Sequence, residues 1–358
     1  MQDFIIIGGG IAGISAGARL SHLGHVTVLE RESALAFHAS GRSAALFEES
    51  YGKPSVVALN RASKDYHATA NGGVLSPRGL MVVGTADTNA AFRKDVADMG
   101  MDEITPSEAK TIIPILNTDV VECAAIDTSA WDIDTDLLIQ NFAREIRANG
   151  GQVVTGAPVD AIRRIGAGWH VVSGEQSYEG KILVNAAGAW VDQIAILAGI
   201  STLGFTPLRR SMARIPAPGG HDMTKWPMVF GAGETWYCKP DAGALIVSPA
   251  EEDLCDPHDA WADDMVLAEG LARYEEHVTE PVTRMLANWA GLRTFAPDRQ
   301  LVLGRDMRDP SFIWCAGQGG YGFQTAPAAS QLLADLIGGK TPAIGSDIVA
   351  AVDPARFG

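Results

Sequence analysis

At 358 residues the chain exceeds what one hydrophobic core usually supports, so one large or two interleaved domains are expected. A formal charge of −15, from 43 acids against 28 bases, excludes the basic face that nucleic-acid binding requires and favours small-molecule chemistry. Cys123, Cys238, Cys255 and Cys315 lie far apart without C-x-x-C spacing, which predicts neither a metal site nor a disulfide framework.

The first thirty residues organise the chain. Phe4-Ile5-Ile6-Ile7 reads as a buried strand, and it runs into Gly8-Gly9-Gly10-Ile11-Ala12-Gly13, a G-x-G-x-x-G pattern opening a helix that ends near Leu23. Val26-Thr27-Val28-Leu29 is a second strand, closed by Glu30. In such a unit Gly8 makes the tight turn, Gly10 lets backbone approach a pyrophosphate, and Gly13 lets helix and strand pack closely. The helix's unpaired first-turn amides, including those of Ile11 and Ala12, face the phosphates, and Glu30 accepts from a ribose hydroxyl. With 39 glycines in the chain the pattern alone says little; its position between strand and helix makes it a dinucleotide site. No basic segment precedes it, and no apolar run reaches membrane-spanning length. A cytoplasmic protein is expected, with loose membrane association left open.

After Arg31 the chain enters a small-residue stretch, Ser40-Gly41-Arg42-Ser43-Ala44-Ala45, suited to a loop lying against a ligand. A helix is expected over residues 54–70, a strand at Met81-Val82-Val83, helical composition over 89–113 with a capped start at Thr105-Pro106-Ser107-Glu108, and an amphipathic helix over 137–149. Strand-like runs around residues 152–154, 169–172 and 181–185 follow, the last ending in Ala186-Ala187-Gly188-Ala189-Trp190. A strand that ends in small residues is where a doubly wound sheet meets its ligand. Residues 207–249 read as an antiparallel sheet with a turn at Lys239-Pro240-Asp241-Ala242-Gly243. The C-terminal part returns to strands and to Gly317-Gln318-Gly319-Gly320-Tyr321-Gly322-Phe323-Gln324, which feeds a helix expected to begin near Pro327.

The expected fold is therefore α/β: a Rossmann-like dinucleotide domain (residues 1–80, 145–200 and 290–358) interleaved with an α+β substrate domain (81–144 and 201–289) on a mostly antiparallel sheet. Three loops from distant parts of the chain, 40–45, 186–190 and 317–324, are available to wrap a buried ring system. That distribution favours FAD over NAD.

Five separated segments carry a resemblance over nearly the whole chain: residues 40–45, 184–190, 239–243, 289–293 and 318–322. The chain resembles the FAD-dependent D-amino-acid oxidase superfamily, and most closely the bacterial D-arginine dehydrogenases. The resemblance implies non-covalent FAD, bound by Gly8, Gly10, Ile11, Ala12, Gly13, Glu30, Arg31, Ser40, Arg42, Ser43, Ala44, Ala45, Val159, Ala187, Gly188, Trp190, Arg293, Gly317, Gly319, Gly320, Tyr321, Gly322, Gln324 and Thr325. It also implies oxidation of a D-amino acid to its imino acid, with oxygen, a quinone or another acceptor taking the electrons. Arg210 and Arg293 match the family's carboxylate-binding arginines, with Arg209 the competitor for the first role. Tyr51 and Tyr237 match its substrate-contacting tyrosines, and the Gly319 backbone lies near flavin and substrate.

Two departures bear on substrate. Leu46 stands where the D-arginine enzymes carry a histidine, and Leu80 where they carry the glutamate that pairs with a basic side chain. An apolar or small side chain is therefore expected, in a pocket of Leu46, Phe47, Leu80, Met228 and Gln324. Glu48 on the same loop is read as a solvent-facing acid, the alternative being that it replaces the missing glutamate. Rival functions are oxidation of glycine, sarcosine or proline-like secondary amines, an NAD(P)-dependent dehydrogenase, and a non-catalytic flavin subunit.

Overall fold

The computed structural model describes residues 2–358. The strand Gln2–Ile7 lies inside an eight-stranded sheet, between Gln176–Asn185 and Val26–Leu29, parallel to both. Beyond Val26–Leu29 lies Gln152–Val154, also parallel. The C-terminal half of Gln176–Asn185 takes Phe312–Ala316 as a further parallel partner. Both faces of this sheet are covered, so its strands are continuous apolar runs rather than alternating ones. Phe4 and Ile6 pack under the helices Ile11–Leu20, Thr135–Ala148 and Gly322–Ile337. Ile5 and Ile7 pack on the other side with Trp169, Leu183 and Trp314.

A second, nine-stranded sheet runs Asp253–Leu254, Thr206–Pro216, Ala244–Ser248, Tyr237–Asp241, Met228–Gly231, Leu80–Gly84, Cys123–Asp127, Asp102–Ile104, with Ala287–Phe295 also paired to Thr206–Pro216. It is antiparallel except where Met228–Gly231 meets Leu80–Gly84. Three short strands, Leu46–Phe47, Trp131–Ile133 and Leu75–Pro77, form a small sheet.

The expected boundaries shift at two places. The helix Thr135–Ala148 buries Leu138, Phe142 and Ile146 among residues of the first sheet's core, so residues 135–144 pack with the dinucleotide domain. The strand Ala287–Phe295 pairs along its full length with Thr206–Pro216, so residues 290–295 belong to the second sheet. The predicted hairpin turn is narrower than expected: Asp241 pairs with Ala244, leaving Ala242 and Gly243, both at positive φ, as a two-residue loop. Among the described residues no helix is long and apolar enough to cross a membrane.

Candidate active site

The glycine turn is built as its pattern requires. Gly8 sits at φ +111°, and a Cβ there would lie 2.3 Å from the Ala186 carbonyl oxygen; a Cβ on Gly13 would lie 1.9 Å from the Gly8 oxygen. Gly10 faces a cavity instead, its nearest neighbour being Ser40 Oγ at 3.2 Å from a notional Cβ. Ser40 Oγ accepts a hydrogen bond from the Ile11 amide (3.0 Å), which ties the 40–45 loop to the helix N-terminus. Glu30 is buried, and its carboxylate accepts from the amides of Gly9 (2.6 Å) and Glu32 (2.9 Å). Glu30 therefore shapes the turn as well as facing the cavity, and two lone-pair positions remain for a ribose.

Two cavities meet here, spanning about 1290 and 1270 Å³ when the space at their open mouths is counted. One is lined by Gly8, Glu30, Arg31, Val159, Ala187, Gly188 and Trp190, with the Arg31 guanidinium 5.0 Å from the centre of the Trp190 ring. The other lies between the two sheets. They share Gly10, Ser40, Arg42, Gly188 and Gly291, so they form one elongated space with the 40–45 loop at its waist. Two cations fasten that loop to the substrate sheet. Arg42 donates to the carbonyls of Ala260 and Ala290 (2.8 Å each) and pairs with Asp259. Lys239 donates to the carbonyls of Ala44 and Ala45 and pairs with Asp132 at 2.7 Å. Ser43 Oγ accepts from the Ala45 amide, and Ala45 itself is at φ +29°.

The second glycine loop is dense for a steric reason. A Cβ on Gly319 would strike the Phe295 ring at 2.3 Å, and one on Gly320 would lie 3.0 Å from Arg293 Nη1. The helix that follows starts at Gly322, earlier than the sequence suggested, and keeps Pro327 inside it. The interruption is repaired from the neighbouring helix Pro54–Thr69. The Ala328 amide donates to Ser63 Oγ (3.1 Å), and His67 Nε2 donates to the Gln324 carbonyl (3.0 Å). His67 is fully buried, and burial pulls its pKa down to about 4, so it is neutral. The helix thus keeps its first turn, Gly322, Phe323 and Gln324, in the cavity wall with its positive end toward the ligand space.

Two guanidinium groups reach the substrate end. Arg210 is buried; its Nε donates to the Glu251 carbonyl (2.9 Å) and Nη2 pairs with Glu252 (3.4 Å), while Nη1 is buried without a partner. Burial, and then the charge of Arg293, hold its pKa below the usual arginine value, so the two cations lie close enough to repel. Arg293 is half-buried in the cavity wall, and among the described residues its guanidinium has no hydrogen-bond or ion-pair partner. Arg209 points to the opposite face of its strand and is taken up by Asp253 (2.8 Å), so of the two only Arg210 lines the cavity. Tyr237 donates its hydroxyl to Met212 Sδ (3.3 Å). The Tyr51 ring lies 5.4 Å from Tyr321 and 6.4 Å from Phe230, and burial, with the nearby Glu234 carboxylate, holds its hydroxyl well above its usual pKa and so protonated.

Two expectations fail. Phe47 is fully buried against His67 (ring centres 5.3 Å apart) in the dinucleotide-domain core, because successive strand residues face opposite sides and Leu46 takes the cavity side. Glu48 does not face solvent: it is 5% exposed and lines the cavity with Leu46, Leu80, Met228 and Gln324. Gly13, Gly317, Tyr321 and Thr325 stand behind the wall rather than in it, Tyr321 supporting Tyr51 and Thr325 bonding back to the Tyr321 carbonyl (2.9 Å). Phe230, Met212 and Glu234 line the cavity unforeseen. Glu234, at φ +55° in a short turn, had no motif to mark it.

A fingerprint-type nucleotide compartment opening into an apolar chamber with two guanidinium groups fits a dinucleotide-dependent oxidoreductase. The chain belongs to the FAD dependent oxidoreductase family, which matches residues 3–336. Its cofactor is FAD. The "FAD-dependent oxidoreductase domain-containing protein 1" of Bos taurus is 23% identical over 94% of this chain and 81% of its own length. A bifunctional tRNA 5-methylaminomethyl-2-thiouridine biosynthesis protein of Burkholderia vietnamiensis is 25% identical over all of this chain, which spans 60% of that protein. Among solved structures, L-proline dehydrogenase from P. horikoshii superposes with a TM-score of 0.84 at 23% identity, covering 99% of this chain and 97% of its own. Glycine oxidase from Geobacillus kaustophilus gives 0.80 at 20%, covering 96% of each. These likenesses show the fold. The family makes the chain an FAD-dependent oxidoreductase.

Proposed function

We propose that the protein oxidises a D-amino acid with an apolar or small side chain to the imino acid, which water converts to the 2-oxo acid and ammonia. The observation that carries this is Arg293: a half-buried cavity guanidinium with no protein partner is open to an anion, and a carboxylate meets it with two parallel N–H···O bonds. Arg210 Nη1 supplies a further donor. FAD, when bound, takes up the hydride that leaves Cα. The residues of this chain fix the rest. The guanidinium groups orient the carboxylate, Tyr237 and Tyr51 bound the substrate laterally, and the Leu46, Leu80, Met228 and Phe230 wall keeps water away from the breaking C–H bond. The D configuration rests on the resemblance of the arginine and tyrosine positions. Anaerobic flavin reduction across D- and L-amino acids, glycine, sarcosine and proline tests it. Reduction by D-leucine or D-methionine ahead of their enantiomers is expected; reduction by L-proline or sarcosine alone overturns it.

A further inference from the structure

Glu48 is a buried acid in an otherwise apolar stretch of wall, and the proposed reaction does not use it. Its backbone is fixed twice, the amide donating to Gln324 Oε1 (2.8 Å) and the carbonyl accepting from Asn60 Nδ2 (3.2 Å). Its Oε1 accepts from the Ser50 amide (2.9 Å), but Oε2 has no N–H or O–H partner among the described residues. The carboxyl instead meets that of Asp127, which lies across from Leu80 on the neighbouring strand. Asp127 Oδ1 accepts from both the amide and the hydroxyl of Ser129 (2.7 Å each). Two carboxyl groups in contact cannot both ionise cheaply, and the one served by more donors keeps the charge. The proton therefore belongs to Glu48. Burial first, and then Asp127, push its pKa up to about 8; Asp127, despite its own burial, is held below the usual range by Glu48 and Ser129.

The other charges bearing on Glu48 do not cancel this. Glu49, next in the loop, adds a small upward push and is paired with Lys64 on the helix Pro54–Thr69. Asp132, on the strand paired with Leu46–Phe47, is neutralised by Arg78 and Lys239. The helix Gly322–Ile337 presents only the neutral Gln324, and the strands Leu80–Gly84 and Met228–Gly231 present Leu80 and Met228.

We propose that Glu48 sets the side-chain class of the substrate: carrying its proton it leaves the pocket open to an uncharged aliphatic chain, and without it the pocket takes a chain ending in ammonium or guanidinium. A cation facing the neutral acid loses hydration without a compensating charge, at a cost of several kcal/mol. Facing ionised Glu48 it neutralises a buried anion beside the half-buried Asp127. The inference rests on the amino-acid oxidase reading above and adds the substrate class at each protonation state.

The test compares kcat/KM for D-lysine and D-methionine, chains of similar length, from about pH 6.5 to about pH 9.5, so that ionisation of the α-amine cancels in the ratio. The lysine-to-methionine ratio is expected to climb by about tenfold per pH unit on both sides of the Glu48 value of about 8, because below it the ionised fraction that takes lysine grows and above it the protonated fraction that takes methionine shrinks. In Glu48→Gln, which can keep the Ser50 bond and donate to Asp127, the ratio stays flat and low. In Asp127→Asn the rise moves to lower pH. A flat ratio in the unmodified protein, or a rise that survives Glu48→Gln, overturns the proposal. Failure of every amino acid to reduce the flavin overturns the underlying reading instead, and the inference falls with it.

Discussion

Replacing Arg293 by Met separates a binding role from a structural one. Arg293 holds no protein acceptor, so its removal orphans nothing in the unliganded fold and relieves repulsion with Arg210; thermal stability should stay the same or rise. The substrate's carboxylate, however, loses its bidentate partner in a desolvated site. Truncating one side of such a pair costs about 2–5 kcal/mol. Taking about 3 kcal/mol, and tenfold for each 1.4, kcat/KM for flavin reduction should fall by about two orders of magnitude. Arg210→Met should behave differently, because Arg210 also bonds the Glu251 carbonyl and Glu252, so activity and stability should fall together. The assay is anaerobic stopped-flow reduction of the FAD-loaded protein, with melting temperatures measured alongside. An Arg293→Met protein that reduces its flavin within fivefold of the parent, or that unfolds several degrees earlier, refutes the carboxylate anchor and leaves Arg293 a structural residue.

Three further outcomes follow from the geometry. Gly13→Ala places a Cβ 1.9 Å from the Gly8 oxygen, and relief by moving the helix costs about 1–3 kcal/mol and opens the phosphate turn; FAD content after purification should drop sharply. Lys239→Met leaves Asp132 short of one partner and frees the Ala44 and Ala45 carbonyls, a buried-pair loss of about 3–5 kcal/mol that should be read in denaturant midpoint and in weakened FAD retention. His67 is neutral when folded, its pKa lowered from 6.5 to about 4, so its contribution is complete above about pH 6.5 and is lost as pH falls through about 4. That amounts to about 3 kcal/mol, and His67→Gln, which can still donate to the Gln324 carbonyl, should flatten the acid limb of the stability–pH curve relative to the parent.

Much of the cofactor half was legible because its requirements are local. The Gly8–Gly13 turn, the buried Phe4–Ile7 strand and the small-residue loops each answer to backbone sterics that a short sequence reveals. The capped start at Thr105 and the amphipathic helix before residue 149 were legible because capping chemistry and helical period are likewise local. What escaped depends on contacts between distant segments. Phe47 and Leu46 differ only in strand phase, and two residues of strand give no period to read. Glu48 looks like a loop acid until Asp127, Gln324 and Asn60, up to 276 residues away, close over it. Pro327 read as a helix start because its repair by Ser63 and His67 comes from another helix. The helix Thr135–Ala148 was assigned to the wrong domain because amphipathicity shows that a face is buried, not against which sheet. Glu234 reaches the cavity only through a turn whose φ of +55° nothing in its sequence demands.

The central claim, that this chain holds FAD beside an amine-bearing carboxylate and oxidises it, is tested most directly by titrating the purified yellow protein with its preferred amino acid in the absence of oxygen. The account predicts one FAD per chain, bleached by one equivalent of substrate, with one equivalent each of 2-oxo acid and ammonia released. A protein that purifies without flavin and cannot be loaded, or whose flavin no amino acid or amine bleaches, contradicts it.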